Sequence, residues 1–280
     1  MNARARGFTL IEILIVALLG AIVMGAVYQT LTVEYRSNRQ INAVVATQQT
    51  LRTSMQFLQS ELREVSSRAG DVTYANADSI RFRAMRKVAF VCGHPSTSQL
   101  DVYTLGGQIA NGDSVILFAS KDPSTIDDDT YYVGYVNSTP SASTGCTTLN
   151  TAPWTSMSVQ GNRITVAIAG SPPLTDINNG DPVRSFETVT YGLASKNGSW
   201  VLGRKSMTDT MVALIGPLAP GGLALSYFDT TNAAIGNVSA SLGNIGRIRI
   251  QITGRTSGAA SPNGGTYSDN LMSDVFLRGN

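Results

Sequence analysis

The chain of 280 residues has one histidine, His94. Nucleophilic catalysis by serine or cysteine needs a positioned base, and nothing in the sequence sets His94 beside a particular serine. Next to Pro95 it reads as a residue of a surface loop. Charged residues are scarce as well, at 14%, and a formal charge of +2 creates no global field favouring nucleic acid or an acidic surface. Only two cysteines occur, Cys92 and Cys146. With a single histidine nearby they give a Cys-x-His pair and no second cluster of metal ligands. The expectation is therefore no cofactor and no enzymatic activity. In an oxidising compartment the two thiols would pair instead, closing a loop of 54 residues worth roughly 4 kcal/mol by chain entropy. Abundant Gly, Ser, Thr and Asn suit a β-rich extracytoplasmic domain.

The one charge that stands out of place is Glu12. Residues 8–27 are almost all apolar, and as a helix of roughly 30 Å they could cross the hydrocarbon layer of a bilayer. Glu12 is the only charge in that run and costs on the order of 2.5–3.5 kcal/mol there unless it is paired. A plain anchor gains nothing from it. Cleavage as a signal peptide does not fit either, because the run exceeds the usual apolar core and no small-x-small site follows it.

Gly7-Phe8-Thr9-Leu10-Ile11-Glu12, preceded by Arg4 and Arg6, resembles the processing motif of type IV prepilins and the related pseudopilins. The resemblance implies that a membrane-embedded prepilin peptidase cuts after Gly7 and that the new N-terminus, Phe8, is N-methylated. It also implies that Glu12 pairs with the N-terminal amine of a neighbouring subunit drawn from the inner membrane into a filament. In a low-dielectric bundle such a pair interacts far more strongly than one at a surface. Removing Arg4 and Arg6 with the leader takes the formal charge from +2 to zero. Two arginines before the span, with no equal cluster soon after it, set the leader on the cytoplasmic side and the rest outside.

Residues 28–39 turn polar but hold no proline, so the helix continues out of the membrane. Gly20 and Gly25 lie inside it as points for close helix packing or local softening. Leu51, Met55, Leu58, Leu62 and Val65 form one stripe of an amphipathic helix, expected to pack on the chain's own β-domain. Gly70 is the expected C′ stop, giving a spine about 90 Å long. Beyond it, strands are expected at 79–85, 87–92, 100–105, 114–119, 131–136, 163–169, 186–193, 200–204, 223–229, 247–253 and 274–277. Asn197-Gly198 marks a hairpin. Ile248, Ile250 and Ile252 alternate inward against Arg247, Arg249 and Gln251. The loop-rich stretch 137–158 carries Cys146 and would be fastened to the early strands by the disulfide. The glycine-rich stretch 216–223 finds no place. The expected fold is α+β: a leader 1–7, a pilin-like helix 8–70 that is transmembrane over 8–27, and one antiparallel β-domain, 71–280, built as two sheets or a curled one.

The succession of 188–191, 200–204, 223–229, 245–255 and 273–278, with the helix segment Met55-Gln56-Phe57-Leu58-Gln59-Ser60-Glu61-Leu62-Arg63, is similar to PilW-type minor pilins and the J-type minor pseudopilins of type II secretion. It implies a minor pilin that primes or caps pilus assembly. Alternatives are a minor pseudopilin, or a filament-borne adhesion or DNA-binding module. Asp127, Asp128 and Asp129, with Asp122, offer oxygen ligands for Ca²⁺, although such a run also makes a solvated turn. Residues 176–181 have the residue types of a calcium loop without its spacing or distal glutamate. Arg81, Arg83, Arg86 and Lys87 form a basic strand that could touch DNA phosphates or simply face solvent, since no aromatic ladder accompanies them.

Overall fold

A computed structural model describes residues 8–105, 107–119, 130–143, 146, 161–168, 174–207, 209–256 and 265–278. With no proline to interrupt it, α1 (Leu10–Leu62) runs unbroken for 53 residues, about 80 Å. Its buried positions are Thr47, Leu51, Ser54, Met55, Leu58 and Leu62, so the anticipated stripe does pack on the β-domain.

The helix ends at Leu62, short of the expected stop at residue 70. The reason lies outside the segment. Val65 leaves the helical path to enter the core, where it is fully buried, and its carbonyl accepts the N–H of Arg278 (2.9 Å). Ser67 Oγ donates to the carbonyl of Ile245. Gly70, at φ +74°, then closes a separate turn: its N–H bonds to Ser67 O (2.9 Å) and the Asp71 N–H to Ser66 O (3.1 Å). That pair of bonds is the Schellman arrangement a left-handed glycine permits. Gly70 is a stop, but of this turn and not of α1.

Among the described residues twelve strands follow: β1 (Val72–Ala75), β2 (Ser79–Ser96), β3 (Gln99–Leu105), β4 (Ser114–Ala119), β5 (Thr130–Val136), β6 (Ser141–Ser143), β7 (Gly161–Ile168), β8 (Pro182–Lys196), β9 (Ser199–Ser206), β10 (Val212–Phe228), β11 (Arg247–Arg255) and β12 (Ser268–Phe276). Segments 79–85 and 87–92, expected as two strands, are one 18-residue strand. Its register against β8 jumps between Met85 and Lys87, which leaves Arg86 as the extra residue of a bulge.

That bulge is where one architecture passes into another. Before it, β2 lies in an open sheet ordered β1-β2-β8-β9-β10-β11-β12, and α1 packs across β10, β11 and β12. After it, β2 pairs with β3, and the path β3-β7-β5-β4 returns through β8 to β2, closing a six-stranded barrel. The sheet is a curled one in which β2 and β8 serve both parts. Two cores result. One gathers Leu58, Phe82, Tyr191 and Ile250 beneath the helix. The other fills the barrel with Val91, Leu100, Val102, Leu117, Ile164 and Val166. Ile248, Ile250 and Ile252 are fully buried, as their alternation predicts. The unplaced stretch 216–223 belongs to β10, whose pairings slip between Ile215 and Leu218 and again between Leu218 and Leu223.

At Gly254 the helix comes down on β11. A Cβ there would stand 2.8 Å from Thr47 Cγ2 and 3.1 Å from Leu51 Cγ, too close for either to stay in place. Gly254→Ala should therefore cost about 1–3 kcal/mol, read as a lower urea midpoint at unchanged slope. An unshifted midpoint would mean the helix is not seated on β11.

Candidate assembly site

The helix starts from Thr9, extended at φ −79° and ψ 148°, whose carbonyl accepts the N–H of Glu12 (3.1 Å) and of Ile13 (3.4 Å). Glu12 thus sits in the first turn, where unpaired N–H groups favour an anion. Phe8 and Leu10 are 80% and 83% exposed. No residue of α1 before Thr47 is buried. Gly20 and Gly25 do not break the helix, and a Cβ at either would meet nothing within 4 Å, so both leave a shallow surface open to a neighbouring helix. Among the described residues this is the one helix long and apolar enough to cross a membrane. Gly7 lies outside the described residues, as do Arg4, Arg6, Asp122, Asp127, Asp128 and Asp129.

The other end of α1 is tied down electrostatically. Arg86, the bulge residue, donates from both terminal nitrogens to the Glu61 carboxylate (3.1 and 3.2 Å) and from Nε to Glu187 (3.3 Å). Glu187 also accepts from Arg204 and Ser206. A bidentate guanidinium fixes direction as well as distance, so the cluster sets the angle at which helix and sheet meet. Lys87 pairs with Asp113 (2.8 Å), Arg81 donates to Thr190 (3.1 Å) and Arg83 lies over the Phe186 ring. The basic strand therefore has no bank of uncommitted cations aligned for a phosphate backbone. Sequence reasoning also missed the partner of Arg247 and Arg249. Both donate to Asp274 on β12 (2.6 and 2.8 Å), and Arg247 stacks on Phe228 at 3.8 Å. Alternation put the two arginines on one face, but only the β11–β12 register brings Asp274 opposite Arg249.

Cys92, in the barrel half of β2, and Cys146 are joined as a disulfide with Cα atoms 4.9 Å apart. Any Cβ at Gly161 would run into the Cys146 sulfur, which explains a glycine at the head of β7. His94 is exposed further along β2. Residues 176–181 form a turn in which the Asn178 N–H bonds to the Asp181 carboxylate (2.7 Å), docked on β2 through Gly180 N–H to Val91 O (2.8 Å). Among the described residues no group of three potential metal ligands comes together.

Several carboxylates carry shifted titrations with opposite consequences. Hydrogen bonds from Arg163 hold Asp101 below its ordinary value, and those from Arg249, then Arg247, do the same for Asp274. Burial alone would raise Glu187, but Ser206 and the Arg204 guanidinium more than offset it, and its value is lowered. These groups contribute stability that is complete above the ordinary carboxylate range and is lost as pH falls through their depressed folded values. Asp71 runs the other way: burial raises it against the Ser66 N–H, so its contribution declines as pH rises from the ordinary value to the raised one. The urea midpoint should fall between about pH 6 and about pH 3, and fall more steeply in Asp71→Asn, which lacks the opposing slope. A flat profile would contradict the three ion pairs.

Residues 2–28 match the family described as the Prokaryotic N-terminal methylation motif. No curated protein and no solved structure matches the sequence. The motif and the fold, a long apolar N-terminal helix on an antiparallel β-domain, support a type IV pilin-like protein. A pilin or pseudopilin subunit is structural and not catalytic. Proteins of this class are processed by prepilin peptidase, anchored in the inner membrane by that helix and assembled with other pilins.

Proposed function

We propose that this protein is a minor pilin that primes or caps a type IV pilus, of the PilW-type its strand succession resembles. In this reading residues 1–7 are a leader removed after Gly7, Phe8 is methylated, and residues 8–27 hold the protein in the inner membrane with the β-domain outside. Glu12 then takes the N-terminal amine of an adjacent subunit as the helix leaves the lipid. The observation that carries the reading is the exposed first part of α1, apolar on every side with one acid in its first turn. Such a surface needs lipid or other helices around it. The Cys92–Cys146 pair supports the orientation, because disulfides persist outside the cytoplasm.

The mass of the mature N-terminus from the native host tests the reading. Phe8 bearing one methyl group is expected, and a polypeptide that keeps its first seven residues defeats it. The likeness to J-type pseudopilins supports a second reading, a subunit of a secretion pseudopilus. Loss of protein secretion with pili intact in a deletion strain would favour that one.

A further inference from the structure

Assembly through the first part of α1 leaves the far edge of the sheet unused. Strand β12 ends the sheet, and among the described residues it pairs with β11 alone. That pairing runs through all nine residues of β12 without a shift in register. Just beyond it the Thr256 N–H bonds to Tyr267 O (2.9 Å) and the Leu277 N–H to Gly246 O (3.0 Å), which fixes the phase of the ladder. Odd-numbered residues of β12 turn their N–H and C=O to β11, and even-numbered ones turn them away. Of the outward groups, the Asn270 N–H is taken by Asp269 Oδ1 (2.8 Å), and past the strand the Arg278 N–H is taken by Val65 O (2.9 Å). Between them the backbone groups of Met272, Asp274 and Phe276 meet no hydrogen-bond partner among the described residues. Natural edges are usually blunted by proline, lysine, a bulge or a covering element. At the other edge, β1 has four residues, an irregular register and two short 3₁₀ turns, Val238–Ala240 and Leu242–Asn244, against it. Strand β12 has no proline, lysine or bulge.

The two faces beside this edge differ in chemistry. On the outer face Met272 is 55% exposed and Phe276 68%, with Asp274 between them held by Arg247 and Arg249. On the other face lies α1, where Gln59 Nε2 donates to Ser273 Oγ. Arg52, Gln56 and Arg63 stand seven, three and four residues from Gln59, so they share its strip of the helix. Arg52 and Arg63 are exposed, and neither makes an ion pair among the described residues. Asp269, the acid on this face of β12, is already engaged by the Asn270 N–H and the Tyr267 hydroxyl. A second copy is a poor occupant. Helix and strand climb together, Leu51 lying at Gly254 opposite Asp269, Gln59 at Ser273 and Val65 at Arg278, so two copies paired antiparallel would point their helices in opposite directions from one membrane. We infer that the β12 edge takes an added antiparallel strand from a different polypeptide, an extended segment with apolar residues beside Met272 and Phe276 and acidic residues at the alternate positions, facing Arg52 and Arg63. The free backbone groups supply the ladder, and the two faces select the side chains.

The test is amide hydrogen exchange followed by NMR, on the full-length protein in micelles of an uncharged detergent, with short capped peptides as probes. One alternates Val and Glu, a second alternates Val and Lys, and a third is the Val/Glu peptide with proline at its centre. Saturation with the Val/Glu peptide should protect the N–H groups of Met272, Asp274 and Phe276 by at least about tenfold, while those of Leu271, Ser273 and Val275, already in the β11 ladder, change little. The Val/Lys and proline peptides should bind at least about tenfold more weakly. Arg52→Gln/Arg63→Gln alters two exposed positions and leaves the fold intact, and it should weaken the Val/Glu peptide to a similar degree. Met272→Pro removes an outward N–H that the β11 ladder does not use and should have the same effect. No added protection at about 1 mM peptide, equal binding of the Val/Lys peptide, or indifference to the arginine substitutions would overturn the proposal. So would protection of these three amides that rises with protein concentration alone, which would put a second copy on the edge.

Discussion

A Glu12→Ala variant should stay in the membrane and fail to enter filaments. Removing the acid relieves an insertion cost on the order of 2.5–3.5 kcal/mol, so the anchor becomes better suited to lipid. In the filament proposed above, the same change would leave the N-terminal ammonium of the neighbouring subunit without its counter-charge inside a dry bundle. Breaking a buried pair by removing one member costs about 3–5 kcal/mol, which lowers the population of the assembled state by roughly two to four orders of magnitude. The fold should not respond, because Glu12 touches nothing in the β-domain and no part of the helix before Thr47 is buried. Membrane fractionation should show normal abundance and normal resistance of the β-domain to protease, while sheared filaments contain none of the variant. Glu12→Gln separates charge from shape: it keeps the side chain's length and acceptor but loses its charge, so it should fail nearly as completely. Incorporation of either variant at the natural level would remove Glu12 from the assembly mechanism.

What could be read from the sequence was whatever is periodic or contiguous. The stripe Leu51, Met55, Leu58 and Leu62 and the alternation Ile248, Ile250, Ile252 are set by local geometry and a demand for one buried face, and all seven side chains are buried. The N-terminal motif was legible for the same reason, being six adjacent residues. The end of α1 was not. Helical spacing extends through Val65, and what stops the helix is a set of contacts to Ile245 and Arg278, some two hundred residues away. Strand β2 was divided at Arg86 because a bulge interrupts alternation without ending the strand. Barrel closure depends on β2 and β8 pairing past that bulge, information that no single segment carries. The same holds for the unread parts of the sites. Glu61, Arg86, Glu187 and Arg204 come from four separate elements. Short strands such as β1 and β6 offer too few residues for any period to register.

The sharing of β2 and β8 by two cores makes a second strong prediction, for the double variant Cys92→Ser/Cys146→Ser. A cross-link closing a loop of 54 residues stabilises by roughly 4 kcal/mol through the unfolded state, and removing a native disulfide from a small domain costs about 2–5 kcal/mol. The loss should not be spread evenly. Cys92 lies on the barrel half of β2, and Cys146 follows β6, which among the described residues pairs with β7, so the constraint falls on the barrel. Amides around Val102, Ile164 and Val166 should lose protection from hydrogen exchange by about thirtyfold or more, as sub-global opening of that part becomes easier. Amides of Leu58, Ile248 and Ile250 should change little, since the helix, β9 to β12 and the stretches of β2 and β8 on their side of the bulge form the other core, which shares no residue with the core of the barrel. In a thermal melt the variant should show an early transition that leaves the helical signal intact. Equal loss of protection in both cores would mean that β2 and β8 couple them into one cooperative unit, and the bulge at Arg86 would then be a bend in a single body and not the boundary between two.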